Sequence, residues 1–203
     1  MKPSDKPSPQ LIKRLLAALS DDILPLTEEA VKSGNKIFGA ALLNKSDYTT
    51  YLAETNNEME SPLHHGEMHL LKRYFEQPVA LRAPASELIF LSTHEPCSMC
   101  LSAITWAGFD NFFYFFSHED SRDEFEIPHD LNILKEVFKL GPGEYARHNA
   151  FWSSHGIVSW VKNNATGSQR DDLLSTIAKI KARYEAASDV YQAGKEDNSI
   201  PLS

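Results

Sequence analysis

The only two cysteines of this 203-residue chain, Cys97 and Cys100, stand three apart in the segment Pro96-Cys97-Ser98-Met99-Cys100. They fall at a junction between two elements. Glu87 to Ser92 (ELIFLS) reads as a short buried strand, and Ser98 to Ala107 as a helix closed by Gly108. Unpaired N–H groups and the positive dipole end at a helix start favour thiolate over thiol. In a reducing compartment this spacing means a metal site or a redox pair rather than a structural disulfide.

A second short motif, His65-Gly66-Glu67, opens another helix, expected from His65 to Phe75 after Ser61-Pro62. The two motifs supply one imidazole, two thiolates and a carboxylate that need not touch a metal. That is the ligand set of a zinc site with an open fourth position. His65 and Glu67 lie two apart, about 200° around an ideal helix, so they converge only if His65 sits at or before the first turn. A redox role for the cysteine pair is the competing reading, and it leaves Pro96 and the distant His-x-Glu as coincidences. His64 and His69 read as structural or exposed. The metalloprotease pattern needs Glu directly after the first His, and Gly66 occupies that place.

Around the motifs, strands and helices alternate. Residues 1–10 (MKPSDKPSPQ) read as a flexible tail. Leu11 to Ser33 has helical spacing with a break near Ser20-Asp21-Asp22 and Pro25. Lys36 to Leu43 and Tyr48 to Glu54 form a hairpin across Asn44-Lys45-Ser46-Asp47. Asn111 to Phe116 (NFFYFF) is a further strand, and Asp130 to Leu140 a helix ended by Gly141-Pro142-Gly143. Strands alternating with helices after an initial hairpin indicate an α/β layered domain with a mixed sheet. The domain is expected over residues 11–140. Residues 141–203 form an extension packed on the core, with an amphipathic helix from Asp171 to Tyr191 and a free tail of about ten residues.

Four stretches resemble a known family: Phe38-Gly39-Ala40, His65-Gly66-Glu67-Met68, Ser92-Thr93-His94-Glu95-Pro96-Cys97-Ser98-Met99-Cys100 and Ala103-Ile104-Thr105-Trp106-Ala107-Gly108. They are similar to the cytidine and deoxycytidylate deaminase superfamily, closest to its guanine, cytosine and tRNA-adenosine deaminase branch, whose zinc signature is H-x-E followed by P-C-x-x-C. The resemblance spans Ile23 to Phe116. It implies a three-layer α/β/α fold with a mixed central sheet, followed here by the C-terminal helical extension. It also implies Zn2+ held by His65, Cys97 and Cys100. Glu67 would take a proton from the attacking water, pass it to a ring nitrogen and then protonate the departing amine. Asn57, in preference to Asn56, would contact the substrate, with Phe38 and Gly39 near the pocket. Gly66 stands where the family usually has Ala. The acidic segment after Phe116, with His118, Asp123 and His129-Asp130, matches no substrate motif and reads as a solvated loop.

The resemblance implies an enzyme that hydrolyses a small amino-bearing heterocycle, such as guanine, cytosine or a nucleoside, and releases ammonia. A tRNA or polynucleotide adenosine deaminase is the alternative, and a non-catalytic zinc-stabilised module a third reading. The net charge of −8 speaks against a large polyanionic partner, which is held mainly through Lys and Arg. Glu54, Glu58, Glu60, Glu95, Glu119, Asp120, Asp123, Glu124 and Glu126 would repel one if they line the entrance. No signal peptide and no membrane span is legible, so a cytoplasmic protein is expected. A homodimer is expected partly by family analogy and partly from the aromatic-rich segments Asn111–Phe116 and Tyr145–Trp160.

Overall fold

A computed structural model describes residues 7–141 and 144–202. In chain order the elements are α1 (Pro9–Ala17), a π-helical segment (Ala18–Ile23), α2 (Leu24–Ala30), β1 (Gly39–Asn44), β2 (Thr50–Thr55), α3 (Gly66–Glu76), β3 (Leu88–His94), α4 (Ser98–Trp106), β4 (Asn111–Phe116), α5 (His118–Asp123), α6 (His129–Phe138), β5 (Ser153–Gly156), α7 (Ile157–Asn164) and α8 (Gly167–Gly194). The described strands form one sheet in the order β2-β1-β3-β4-β5. β1 runs antiparallel to both β2 and β3, and β3, β4 and β5 are parallel to one another.

Successive strand residues point to opposite faces of a sheet, so each buried strand feeds two layers. Ala40, Leu42, Phe90, Phe112 and Tyr114 pack with Leu70, Leu71 and Tyr74 of α3 and Ile104 of α4. The alternate residues Ala41, Leu43, Leu91, Phe113 and Phe115 pack with α1, the π-helical segment, α7 and α8. The result is the expected three-layer α/β/α arrangement with a mixed sheet.

Several boundaries differ from expectation. The break expected near Ser20-Asp21-Asp22 is a π-helical segment that keeps the chain helical, and Pro25 sits in the first turn of α2 where its missing N–H costs nothing. The Ser20 carbonyl accepts from Arg183 of α8 at 2.9 Å, and Arg183 also forks onto Glu28. The hairpin forms, but its positive φ falls on Tyr48 (62°), which precedes β2 rather than opening it. Of the tail expected over residues 1–10, Pro9 and Gln10 belong to α1 behind the Ser8 cap, and residues 1–6 lie outside the described residues. α6 ends at Phe138, and Pro142 and Gly143 also lie outside them.

The segment beyond residue 140 contributes to the same layers. β5 pairs with β4, and the stripe Leu173, Ile177, Ile180, Tyr184, Ala187 and Tyr191 on α8 repeats at three and four residues and is buried. Nor is the C-terminus free: Ile200 is buried. Among the described residues, no helix is long and apolar enough to cross a membrane. If α8 is part of the core, Ile180→Ala should cost about 2–5 kcal/mol in denaturant unfolding, the range for truncating a buried aliphatic side chain. A loss near zero would mean that α8 detaches without unfolding the sheet.

Candidate metal centre and active site

The topology brings four chain ends to one edge of the sheet. Because β1 is antiparallel to β3, its start (Ala40 opposite Ser92) meets the end of β3, and Gly39 pairs with Thr55 at the end of β2. β3 and β4 finish side by side, His94 opposite Phe116. In open α/β sheets the carboxyl ends of the parallel strands are where ligands bind. Both motifs leave the sheet here, into α3 and α4.

His65 is the N-cap of α3, with an extended ψ of 159°, so it lies before the first turn as the spacing required. Cys97 is the N-cap of α4, and its sulfur accepts from the Cys100 backbone N–H at 3.5 Å. The His65 Nδ1 lies 3.6 Å from Cys97 Sγ and 3.8 Å from Cys100 Sγ, and the three donors lie within 4.8 Å of one another. Two donors bound to one tetrahedral zinc at about 2.1 Å (N) and 2.3 Å (S) stand about 3.6 Å apart. The side chains are therefore already at ligand separation.

The charge balance agrees. A hydrogen bond from Cys100 and the neighbouring His65 hold Cys97 well below the ordinary thiol range, whereas burial pushes Cys100 well above it. Burial pushes the His65 imidazole down, but its contact with Cys97 and the nearby Glu67 and Glu58 carboxylates outweigh this and raise it to about 9. The cluster is thus short of positive charge. A proton on His65 meets that need in part, and a divalent cation meets it fully.

Glu67, in the first turn of α3, is buried, and burial followed by the Cys97 charge pushes its carboxyl up. Its partner is Ser92, whose Oγ lies 2.6 Å from Glu67 Oε1 and 2.5 Å from the His94 carbonyl. The single hydroxyl proton serves either acceptor. Ser92 can therefore donate to a Glu67 carboxylate, or donate to His94 and accept from a Glu67 acid. Either protonation state of Glu67 keeps a hydrogen bond, as a group that gains and loses a proton requires.

Phe38 lines the cavity in front of the donors and packs edge-on against His94. Gly39 serves from behind: a Cβ on Gly66 would sit 2.5 Å from Gly39 Cα, so this Gly66 is required by the close passage of β1. Asn57 is not among the residues lining the cavity, and its amide donates to Glu60 at 2.6 Å. Asn56 is buried; it donates to Glu58 at 2.7 Å and accepts from the Gly66 N–H, so it fastens the start of α3. His69 bonds to the Thr55 carbonyl and His64 stacks on His69, both outside the donor cluster.

The cavity, of about 350 Å³, holds residues to which the sequence pattern gave no role in the site. Lys36 and Glu58 form a buried ion pair at 2.9 Å, and the same Glu58 oxygen, Oε1, lies 3.8 Å from His65 Nε2. The segment after Phe116 is not a solvated loop. Ser117 caps α5, His118 is buried against the Pro96 carbonyl, and Asp130 at the start of α6 faces the cavity. Burial and the Cys97 charge raise Asp130 to about 7. The available signals were the capping box Ser117-x-x-Asp120 and the acidic residue two after Pro128. Ile200, Pro201 and Leu202 complete the wall, which no pattern in the tail foretells.

Comparison with known proteins agrees with this geometry. Residues 16–116, about half of the chain and including all three donors and Glu67, match the cytidine and deoxycytidylate deaminase zinc-binding region. The chain belongs to the cytidine deaminase superfamily and is a zinc-dependent deaminase. Among solved structures it is similar to a guanine deaminase from Nitrosomonas europaea, at 14% identity over 87% of this chain and 94% of that one, with a TM-score of 0.50. It is also similar to a guanine deaminase from Bacillus subtilis (21% identity, 86% and 95% covered, TM-score 0.49). A structure from studies of A-to-I editing by tRNA:A34 deaminases is similar too (21%, 64% and 92% covered, TM-score 0.42). The first of these shows the fold. A search among curated proteins finds no match.

The expected metal content is about one zinc per chain by elemental analysis of protein purified without chelator. Cys97→Ala and Cys100→Ala should each abolish stoichiometric binding. Full zinc retention in either variant would remove these three residues as the ligand set.

Proposed function

We propose that this protein hydrolyses a small amino-bearing heterocycle, with His65, Cys97 and Cys100 holding zinc and Glu67 moving the protons. The carrying observation is the pairing of three donors at ligand separation with a buried carboxyl whose serine partner suits both its protonation states. In the reaction, water adds to the amine-bearing ring carbon, the C–N bond breaks, ammonia leaves and a carbonyl remains. When bound, the ion supplies Lewis acidity that makes water a nucleophile near neutral pH. Glu67 takes the water's proton, delivers it to the ring nitrogen and then protonates the departing amine.

A small substrate is supported by the wall of the cavity rather than by repulsion at its mouth. Of the acidic residues expected at the entrance, Glu58 alone lines the cavity, and it is paired with Lys36. Glu95 is buried and bound by Arg147, and Glu124 pairs with Lys181. Lys36 is also the one Lys or Arg among the lining residues, so phosphates flanking an extruded base find no free cation there.

The proposed homodimer contact is drawn on a surface other than the strand Asn111–Phe116, one of the two segments the sequence pointed to. Asn111–Phe116 is wholly buried in the sheet and offers nothing to a partner. The exposed apolar face lies on α3 and α4, where Trp106 is 92% exposed beside Phe75, Met68 and Ala103. A tryptophan so exposed next to other apolar groups is the composition of an interface core.

Glu67→Gln should keep its zinc but lose about 10²–10⁴-fold in ammonia release, the usual worth of a positioned acid–base group. More than about a tenth of the activity remaining would mean that another group carries the protons. Screening bases and nucleosides against a tRNA anticodon stem-loop decides the substrate. Efficient conversion of the RNA alone would overturn the small-molecule reading. In light scattering at micromolar concentration the protein should run as a dimer and Trp106→Asp as a monomer; a monomeric parent protein would end the dimer proposal.

A further inference from the structure

Beyond its inner end the cavity is chemically one-sided, and this decides what a substrate carries away from its reacting amine. The inner end is polar: His65, Cys97, Ser98, the Lys36–Glu58 pair and, to one side, His129 and Asp130. The rest of the wall is apolar: beside Phe38 and two prolines, Leu63 arrives from the loop before α3, Met99 from α4, Ile127 and Ile133 from either side of the α6 start, and Ile200 and Leu202 from the segment after α8. A bare one- or two-ring heterocycle held at the inner end by its amine and ring nitrogens does not span about 350 Å³ and leaves this aliphatic shell uncovered.

We propose that the substrate is an uncharged amino-heterocycle bearing an apolar substituent of several carbons, which the aliphatic shell of Leu63, Met99, Ile127, Ile133, Ile200 and Leu202 receives. The proposal rests on the deaminase reading of the same site and adds the chemistry of the substrate's far side. A ribose is the wrong occupant. Its hydroxyls would leave water to face aliphatic carbon, and each unpartnered hydroxyl costs roughly tenfold in binding. A phosphate is worse, because Lys36, the one lining ammonium, already answers the Glu58 carboxylate at 2.9 Å. An alkyl chain gains about fourfold in affinity for each methylene taken from water. Two of the receiving side chains, Leu63 at 59% and Leu202 at 52%, are exposed, as suits groups awaiting a ligand rather than completing a core.

The test measures binding and turnover separately. Calorimetry on zinc-loaded Glu67→Gln protein compares cytosine with 1-butylcytosine, guanine with 9-butylguanine, and both parents with cytidine and guanosine. The unmodified protein is assayed on the same six compounds for ammonia release. At least one butyl compound should bind more than about tenfold tighter than its parent base and its nucleoside. Leu202→Ser and Leu63→Ser, both at surface positions that folding tolerates, should each lower that butyl-to-parent ratio severalfold. Equal affinities, tighter binding of a nucleoside, no measurable binding of either butyl compound, or a ratio untouched by both variants would overturn the proposal. Absence of ammonia from every compound would instead count against the deaminase reading, and the calorimetric ratios would still decide this one.

Discussion

Gly39 and Gly66 pass each other with no side chain between them, and the site takes its dimensions from that contact. A methyl group on Gly66 would lie 2.5 Å from the Gly39 Cα and 2.8 Å from its nitrogen. β1 is fixed at this point from two sides. Its Gly39 N–H donates to Thr93 on β3 at 2.9 Å, and a Cβ on Gly39 itself would strike Ile23 behind it. The start of α3 is therefore pressed to the sheet edge, which brings His65 to the cysteines of α4 and puts Glu67 against Ser92. Asn56 completes the clamp by holding the Gly66 N–H from one side and Glu58 from the other. A site whose donors must be held to a few tenths of an ångström is thus hung on backbone packing rather than on flexible side chains.

Burying so many acids in so small a volume is the second constraint. Glu58, Glu67, Asp130 and the Cys97 thiolate gather about the Lys36 ammonium and the imidazoles of His65 and His129. Each carboxylate has a different answer. Glu58 takes Lys36 and Asn56, while Glu67 takes Ser92 and a raised proton affinity. Burial and the Cys97 charge raise the proton affinity of Asp130, to a pKa of about 7. The thiolate and His65 are left to share a cation. Isolated buried charges are expensive, so the cluster as it stands favours whatever brings positive charge to the donors.

The residues of the candidate site were legible because their types are rare and their spacing is chemical. Two cysteines three apart and a His-x-Glu, each at a helix start, serve few purposes together except metal chemistry, and zinc ligation needs them close in space whatever the fold. The buried sheet was legible in the continuous apolar runs of β1, β3 and β4. Ser92 was hidden inside such a run, where a serine reads as a tolerated interruption; only the register of β3 against α3 shows that it faces Glu67. β5 (SSHG) carries no strand pattern, since its place depends on pairing with β4 and not on its own side chains. The π-helical segment looked like a break because Asp21 and Asp22 disfavour helix locally. The carbonyl it frees is taken by Arg183, 163 positions away.

That long-range dependence explains why a motif region of about half the chain is followed by so much more. α1 and the π-helical segment cover part of the sheet face behind β1, β3 and β4, and α7 and α8 complete the cover. α8 is long enough to cross that face, and where it ends its continuation turns across the metal edge, bringing Ile200 to Leu202 to the cavity. One segment thereby closes the core on one side and shapes the site on another. Changes at its far end can alter the shape of the cavity without touching His65, Glu67, Cys97 or Cys100. The zinc donors lie near residues 65 and 97, while the cavity wall is drawn also from Ile127, Ile133 and Ile200 to Leu202, far from them in the chain.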